Sequence, residues 1–102
     1  ISTSGGQEDF VSMAPWAGRK CLRAIDNVRN ILSIELLAST TINELFHAPL
    51  KMANAFLPVL KLMKKHIHYS KTDRPLHSDI KLGNDLIKSN QIIKCVKNYS
   101  ID

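Results

Sequence analysis

Apolar residues recur along the first half of the chain in alternating steps of three and four. Ala14, Ala17, Cys21, Ala24, Val28, Ile31, Ala38, Ile42 and Leu45 form this seam, interrupted only at Glu35. Side chains at such spacing share one face of an α-helix, and a sustained run of them is a heptad seam. Leu22, Ile25, Leu32 and Leu36 widen the apolar surface beyond one stripe. The pattern predicts a single helix over about residues 10–44, roughly 50 Å long. Pro15 falls in its first turn, where a missing N–H costs nothing. Glu8 and Asp9 suit the positive end of the helix dipole, with Asp9 as the N-cap, so Gln7-Glu8-Asp9 opens the helix.

So long a rod has more apolar surface than the rest of the chain can cover. It is therefore expected to pack against copies of itself or against another part of the protein. Its first-half alanines allow close approach of a neighbouring helix, and isoleucines and leucines fill the second half. Glu35 has two readings: a buried charge paired with a base from another helix, or a rim residue on a slightly rotated seam.

The rest of the chain reads as shorter elements. After a polar break at 43–47, Ala48-Pro49 begins a second helical pattern through Leu50, Ala53, Leu57, Leu60, Met63 and Ile67. Pro58 interrupts it, which predicts a kink or two short helices. Lys64-Lys65 complements the negative end of that helix. Residues 70–75 form a polar linker, and Ser78 and Asp79 can cap a third helix over 80–88. Residues 90–102, with Ile92-Ile93 and Cys95-Val96, fit either a strand or a packed tail. The fold class is all-α: an amino-terminal loop and long core helix over 1–47, then a helical region and tail over 48–102.

Composition narrows the partners. At 102 residues and 44% hydrophobic content the chain suits one modest domain. It begins at Ile1 with no methionine, so a native amino terminus is not expected. Ser2-Thr3-Ser4-Gly5-Gly6 lacks the basic and apolar regions of a signal peptide. No apolar stretch approaches the ~18 residues of a membrane span, and a soluble, cytoplasmic protein without a membrane partner is expected. Cys21 and Cys95 lack C-x-x-C spacing and read as free thiols in a reducing compartment. The net charge of +5 sits in the second region, where ten bases meet four acids, against four bases and five acids over 1–47. The lysines are single or paired with little aromatic interleaving, which favours a solvated face over a nucleic-acid surface.

Candidate chemistry is sparse. His66 and His68 stand two apart, on opposite sides of a helix, and neither His47 nor His77 completes a ligand set, so no metal is expected. Ser4 and Ser12 lack a nucleophile-elbow setting, no phosphate-binding glycine motif occurs, and Met13, Trp16 and Met63 read as packing residues. Gln7 and Glu8 remain. They lie between a double glycine, which permits positive φ, and a helix expected to be buried in an assembly. A carboxylate there can hold a substrate imidazole or ammonium by a charge-assisted hydrogen bond; the competing reading is helix capping alone.

The run Ser2-Thr3-Ser4-Gly5-Gly6-Gln7-Glu8-Asp9-Phe10-Val11-Ser12-Met13 resembles the histidine ammonia-lyase segment T-S-A-N-Q-E-D-H-V-S-M, in the aromatic amino acid ammonia-lyase family. The following helix is similar through Ser33-Ile34-Glu35-Leu36-Leu37, where the family has an A-I-E-L-L-like stretch. His68-Tyr69 through Asp73-Arg74, then Asp79-Ile80, resemble the family's later H-Y-D-R-D-R and P-D-I pieces, a thinner match.

The resemblance implies a mostly helical homotetramer built around long central helices, with sites shared between subunits. It implies non-oxidative elimination of ammonia from L-histidine to give urocanate. The electrophile would be a methylidene-imidazolone prosthetic group made from Ala-Ser-Gly. That tripeptide does not occur in this chain, so the group is not formed here and the chain alone is expected to be inactive. By the same resemblance Glu8 is the catalytic and substrate-facing acid, and Gln7 a substrate-binding residue beside the electrophile. Gly6 stands where asparagine is usual and Phe10 where histidine is usual, which leaves room for a lyase-like protein acting on another amino acid. Two rival classes remain: a non-catalytic helical oligomerisation module and a basic nucleic-acid binder.

Overall fold

A computed structural model describes residues 4–6, 12–46 and 52–97 of the chain. The described residues are all-α, as the periodicity requires. A single 3-10 turn at Ser4–Gly6 precedes helix α1, Ala14–Leu45. A second 3-10 turn, Asn54–Phe56, leads into α2, Leu57–His66. Helices α3, His77–Lys88, and α4, Gln91–Val96, complete the fold.

Helix α1 runs 32 residues without a break, with Pro15 in its first turn as expected. It begins later than the seam suggested. Met13 holds the N-cap position and no acid lies in the first turn, so Asp9 is not the cap. The Ser12 hydroxyl accepts the Ala14 N–H at 3.3 Å instead. Gln7, Glu8, Asp9 and Phe10 lie outside the described residues.

The other elements bring further corrections. Pro58 does not break a helix but opens α2, where its fixed φ suits the first turn; Lys64, Lys65 and His66 close it. Neither Ser78 nor Asp79 caps α3, which starts two residues earlier with Leu76 at the N-cap. Asp79 lies in the first turn and pairs with Arg74 instead. The tail over 91–96 is helical and not a strand. Asn90 turns the chain into it with φ 59, a left-handed conformation that asparagine tolerates. Ile92, Cys95 and Val96 then pack on the core; positions i, i+3 and i+4 share a helical face, which an alternating strand would have split.

That core is small: Leu37, Val59, Met63, Ile67 and Leu86, with Met63 fully enclosed. It lies where the last third of α1 meets the three short helices. The face that α1 turns inward is not the apolar seam but Ser33, Leu37 and Thr40. The reason is the closeness of α3. Gly83 lets the α3 backbone come against Ser33, which is 0% exposed and donates its hydroxyl to the Ile80 carbonyl at 2.6 Å. Asn84 donates to Asn30 along the same crossing. Thr40 and Thr41 return their hydroxyls to the Leu36 and Leu37 carbonyls one turn back. A small polar stripe can thus be buried with its groups satisfied.

The seam itself stays in solvent. Leu22 is 64% exposed, Val28 53% and Ile31 56%, and every residue from 12 to 28 is exposed. Glu35 is exposed too, so it needs no buried partner within this chain. The radius of gyration is 20.4 Å, against about 13 Å for a compact domain of this length. An apolar rod this bare is the surface of a larger assembly.

The Ser33–Gly83 crossing can be tested directly. A Cβ at Gly83 would lie 2.3 Å from the Ser33 hydroxyl oxygen but 3.4 Å from its Cβ. Gly83→Ala should lower the unfolding free energy in urea by about 1 kcal/mol, the overpacking cost exceeding the gain in helix propensity. Combined with Ser33→Ala, the cost should be well below the sum of the two single changes. Additive costs would show that the two residues do not meet.

Candidate functional site

Gln7 and Glu8, the site residues expected from the sequence, lie outside the described residues, but both flanks are described. On one side, Gly5 and Gly6 take left-handed φ values of 68 and 84, where a side chain would be strained. The positive φ anticipated for the double glycine is therefore present. On the other side α1 begins only at Ala14, six residues beyond Glu8. The field of a helix end fades within a turn, so the dipole of α1 is not a strong source of stabilisation for Glu8.

At the far end of α1 the structure assembles a second group of residues. Arg74 donates to the His68 carbonyl at 2.8 Å and pairs with the Asp79 carboxylate. It thereby ties the loop between α2 and α3 to the first turn of α3. Lys64 and Glu44 pair across α2 and α1 at 2.9 Å. His68, Arg74 and Asp79 are members of the thinner sequence match, so the structure makes one cluster of residues that are scattered in the chain.

Tyr69 lies within this cluster. Its hydroxyl oxygen is buried without a hydrogen-bond partner among the described residues. Burial pushes the phenol above the usual tyrosine range. Thr40 opposes this, Glu44 and Asp79 raise it further, and Lys64 lowers it. The influence of Thr40 falls short of a true hydrogen bond, because its hydroxyl is turned to the Leu36 and Leu37 carbonyls at 2.7 and 3.1 Å.

Beside Tyr69 an open groove of about 470 Å³ runs between α1 and the loop. Ile34, Ala38 and Ile42 of the seam form one wall, and Arg74 and Leu76 part of the other. From Ala14 to Ala38 is roughly 36 Å along the helix, so the groove is separate from the Gln7–Glu8 end. It contains no paired acid and base free for catalysis, since Arg74 and Asp79 are committed to each other. No group of three or more metal-ligating side chains forms among the described residues. His66, His68 and His77 are exposed, and His47 lies outside the described residues. The cluster is a structural clamp. The only sequence signal for it was the His68-Tyr69 to Asp79-Ile80 match, because the pairings depend on how a loop folds back.

Comparison with known proteins points to the amino-terminal end instead. Residues 1–65 match the family model for aromatic amino acid lyase, a span that includes Gln7 and Glu8. Histidine ammonia-lyase 1 of Fusobacterium nucleatum is 36% identical over 97 residues, covering 95% of this chain and 19% of that protein. Histidine ammonia-lyase of Yersinia enterocolitica is 41% identical over 87 residues, covering 85% of this chain and 17% of the relative. That of Treponema denticola is 34% identical over 98 residues, covering 96% and 19%. The chain thus spans less than a fifth of the length of these curated relatives. No solved structure matches it.

The buried Tyr69 hydroxyl sets a prediction for stability. Tyr69→Phe removes a polar group that burial leaves unpaired, so at pH 7 it should be neutral or stabilise by up to about 1 kcal/mol. Because the folded phenol titrates above the unfolded one, its contribution is complete below about pH 10 and is lost as pH rises through the folded value. Urea titrations between pH 9 and 11 should show a steeper loss for the wild type than for Tyr69→Phe. Parallel curves would mean that the phenol is not shielded in the fold.

Proposed function

This chain belongs to the aromatic amino acid lyase family, and from that premise we propose that it forms the carboxyl-terminal part of a histidine ammonia-lyase-like enzyme. The reaction is the non-oxidative deamination of L-histidine to urocanate and ammonia. One observation carries the reading: identity of 34–41% to histidine ammonia-lyases extends over 85–96% of the chain. In this proposal the chain supplies one wall of a site shared with other parts of a homo-oligomer in the cytoplasm. The bare apolar seam of α1 is the surface through which it joins that assembly.

Within the site Glu8 has the main role. As a carboxylate it accepts a hydrogen bond from the substrate imidazole and so orients the amino acid and favours histidine over apolar side chains. Gln7 presents a neutral amide, able to donate and accept, beside the reacting carbon. The electrophile belongs elsewhere. The described residues offer no cradle for a methylidene-imidazolone group, and no Ala-Ser-Gly occurs in the chain to form one. No step is therefore assigned to that group on these residues.

Two other readings have specific support. Gly6 and Phe10 depart from the family's usual asparagine and histidine, which keeps a different amino acid substrate open. The exposed seam also suits a non-catalytic oligomerisation module. A basic nucleic-acid binder is less well supported, since no further observation joins the positive charge. Among the described residues no helix is long and apolar enough to cross a membrane.

Urocanate absorbance separates these readings. The assembled enzyme should turn over histidine, and Glu8→Gln should lower kcat/KM between about tenfold and a hundredfold, the worth of a hydrogen bond to a charged group. Turnover unchanged by the substitution removes the role of Glu8. Activity on another amino acid alone overturns the substrate, and none on any aromatic amino acid favours the oligomerisation module. In light scattering the assembled protein should be a multimer, and Ile31→Asp on the seam should dissociate it. A multimer insensitive to that charge would place the interface elsewhere.

A further inference from the structure

The 3-10 turn before Gln7 holds a second determinant of the site. Gly5 and Gly6 are consecutive left-handed residues, φ 68 and 84. A Cβ built on either meets nothing within 4 Å. Space therefore does not require glycine at these positions. What requires it is the backbone, which L-residues with a Cβ rarely adopt.

We propose that Gly6 is a positioning residue: its left-handed backbone, and not its lack of bulk, sets the direction in which the chain leaves the turn toward Gln7 and Glu8. The inference rests on the assignment of Glu8 above and deepens it. Gly6 touches no substrate in this account. It acts by holding the turn in the one conformation from which Glu8 is presented. An L-residue at position 6 would shift the turn toward right-handed or extended conformers, reducing the competent population on the order of tenfold. Asparagine is the exception, since its short polar side chain supports the left-handed region locally. The chain already uses it this way at Asn90, φ 59.

The test is a series at position 6 in the assembled enzyme, read by histidine turnover. Gly6→Asn should stay within about twofold of the wild type in kcat/KM, Gly6→Ala should fall about tenfold, and Gly6→Val should fall further. Asparagine is bulkier than alanine, so this order follows handedness and opposes size. Thermal unfolding should be unchanged across the series, because the turn is exposed. In a Glu8→Gln background the cost of Gly6→Ala should shrink to less than about twofold, since a positioning residue has nothing left to position.

An order that follows side-chain volume, with alanine better than asparagine, overturns the proposal. So does a full tenfold cost of Gly6→Ala that persists with Gln at position 8. Both results leave Glu8 in place if Glu8→Gln alone is impaired. If Glu8→Gln alone is harmless, the assignment of Glu8 falls, and the positioning role of Gly6 falls with it.

Discussion

The crossing of α1 and α3 at Ser33 and Gly83 is the contact on which the rest of the described structure depends. A glycine on one helix and a buried serine on the other bring two backbones close enough for a side chain to bond a main-chain carbonyl. The adjacent Asn84–Asn30 bond holds the same register. With α3 held there, Leu86 closes over Leu37, and α2 and α4 complete the small core. The crossing also decides which face of α1 is used up, and therefore which face is left.

That leftover face connects fold to function. A helix that buries a polar stripe inside its own chain and exposes its isoleucines, valine and leucines inverts the usual pattern. The inversion is costly for an isolated chain but natural for a segment whose larger surface belongs to an assembly. The lengths agree: relatives that match nearly all of this chain are more than five times as long. Small core, long rod and partial coverage share one explanation, a piece shaped by neighbours outside it.

Its two ends differ in kind. The carboxyl-terminal end of α1 is fastened by Arg74, Asp79 and the Lys64–Glu44 pair, groups that are satisfied by one another. Before the amino-terminal end lie a left-handed glycine turn and then the Gln7-Glu8 pair on which the proposed chemistry rests. Rigid anchoring at one end and conformational selection at the other is a workable division for a segment that must be held firmly and still place one carboxylate.

The all-α class, the long helix and the need for partners were legible in the sequence, because a period of three and four over thirty residues has no other physical meaning. The Gln7-Glu8 pair was legible only as a motif: local chemistry made it a cap as readily as a ligand. Several things were not legible. Helix starts were misplaced at Asp9 and Ser78 because cap preference is weak beside tertiary contacts. The Ile92 to Val96 tail was ambiguous because six residues carry too little period to separate helix from strand. Above all, apolar spacing marked the seam but could not say that Ser33, Leu37 and Thr40 would be the face used internally. That choice belongs to tertiary structure, since it turns on a glycine fifty residues away that lets a neighbouring backbone come within reach of a serine hydroxyl.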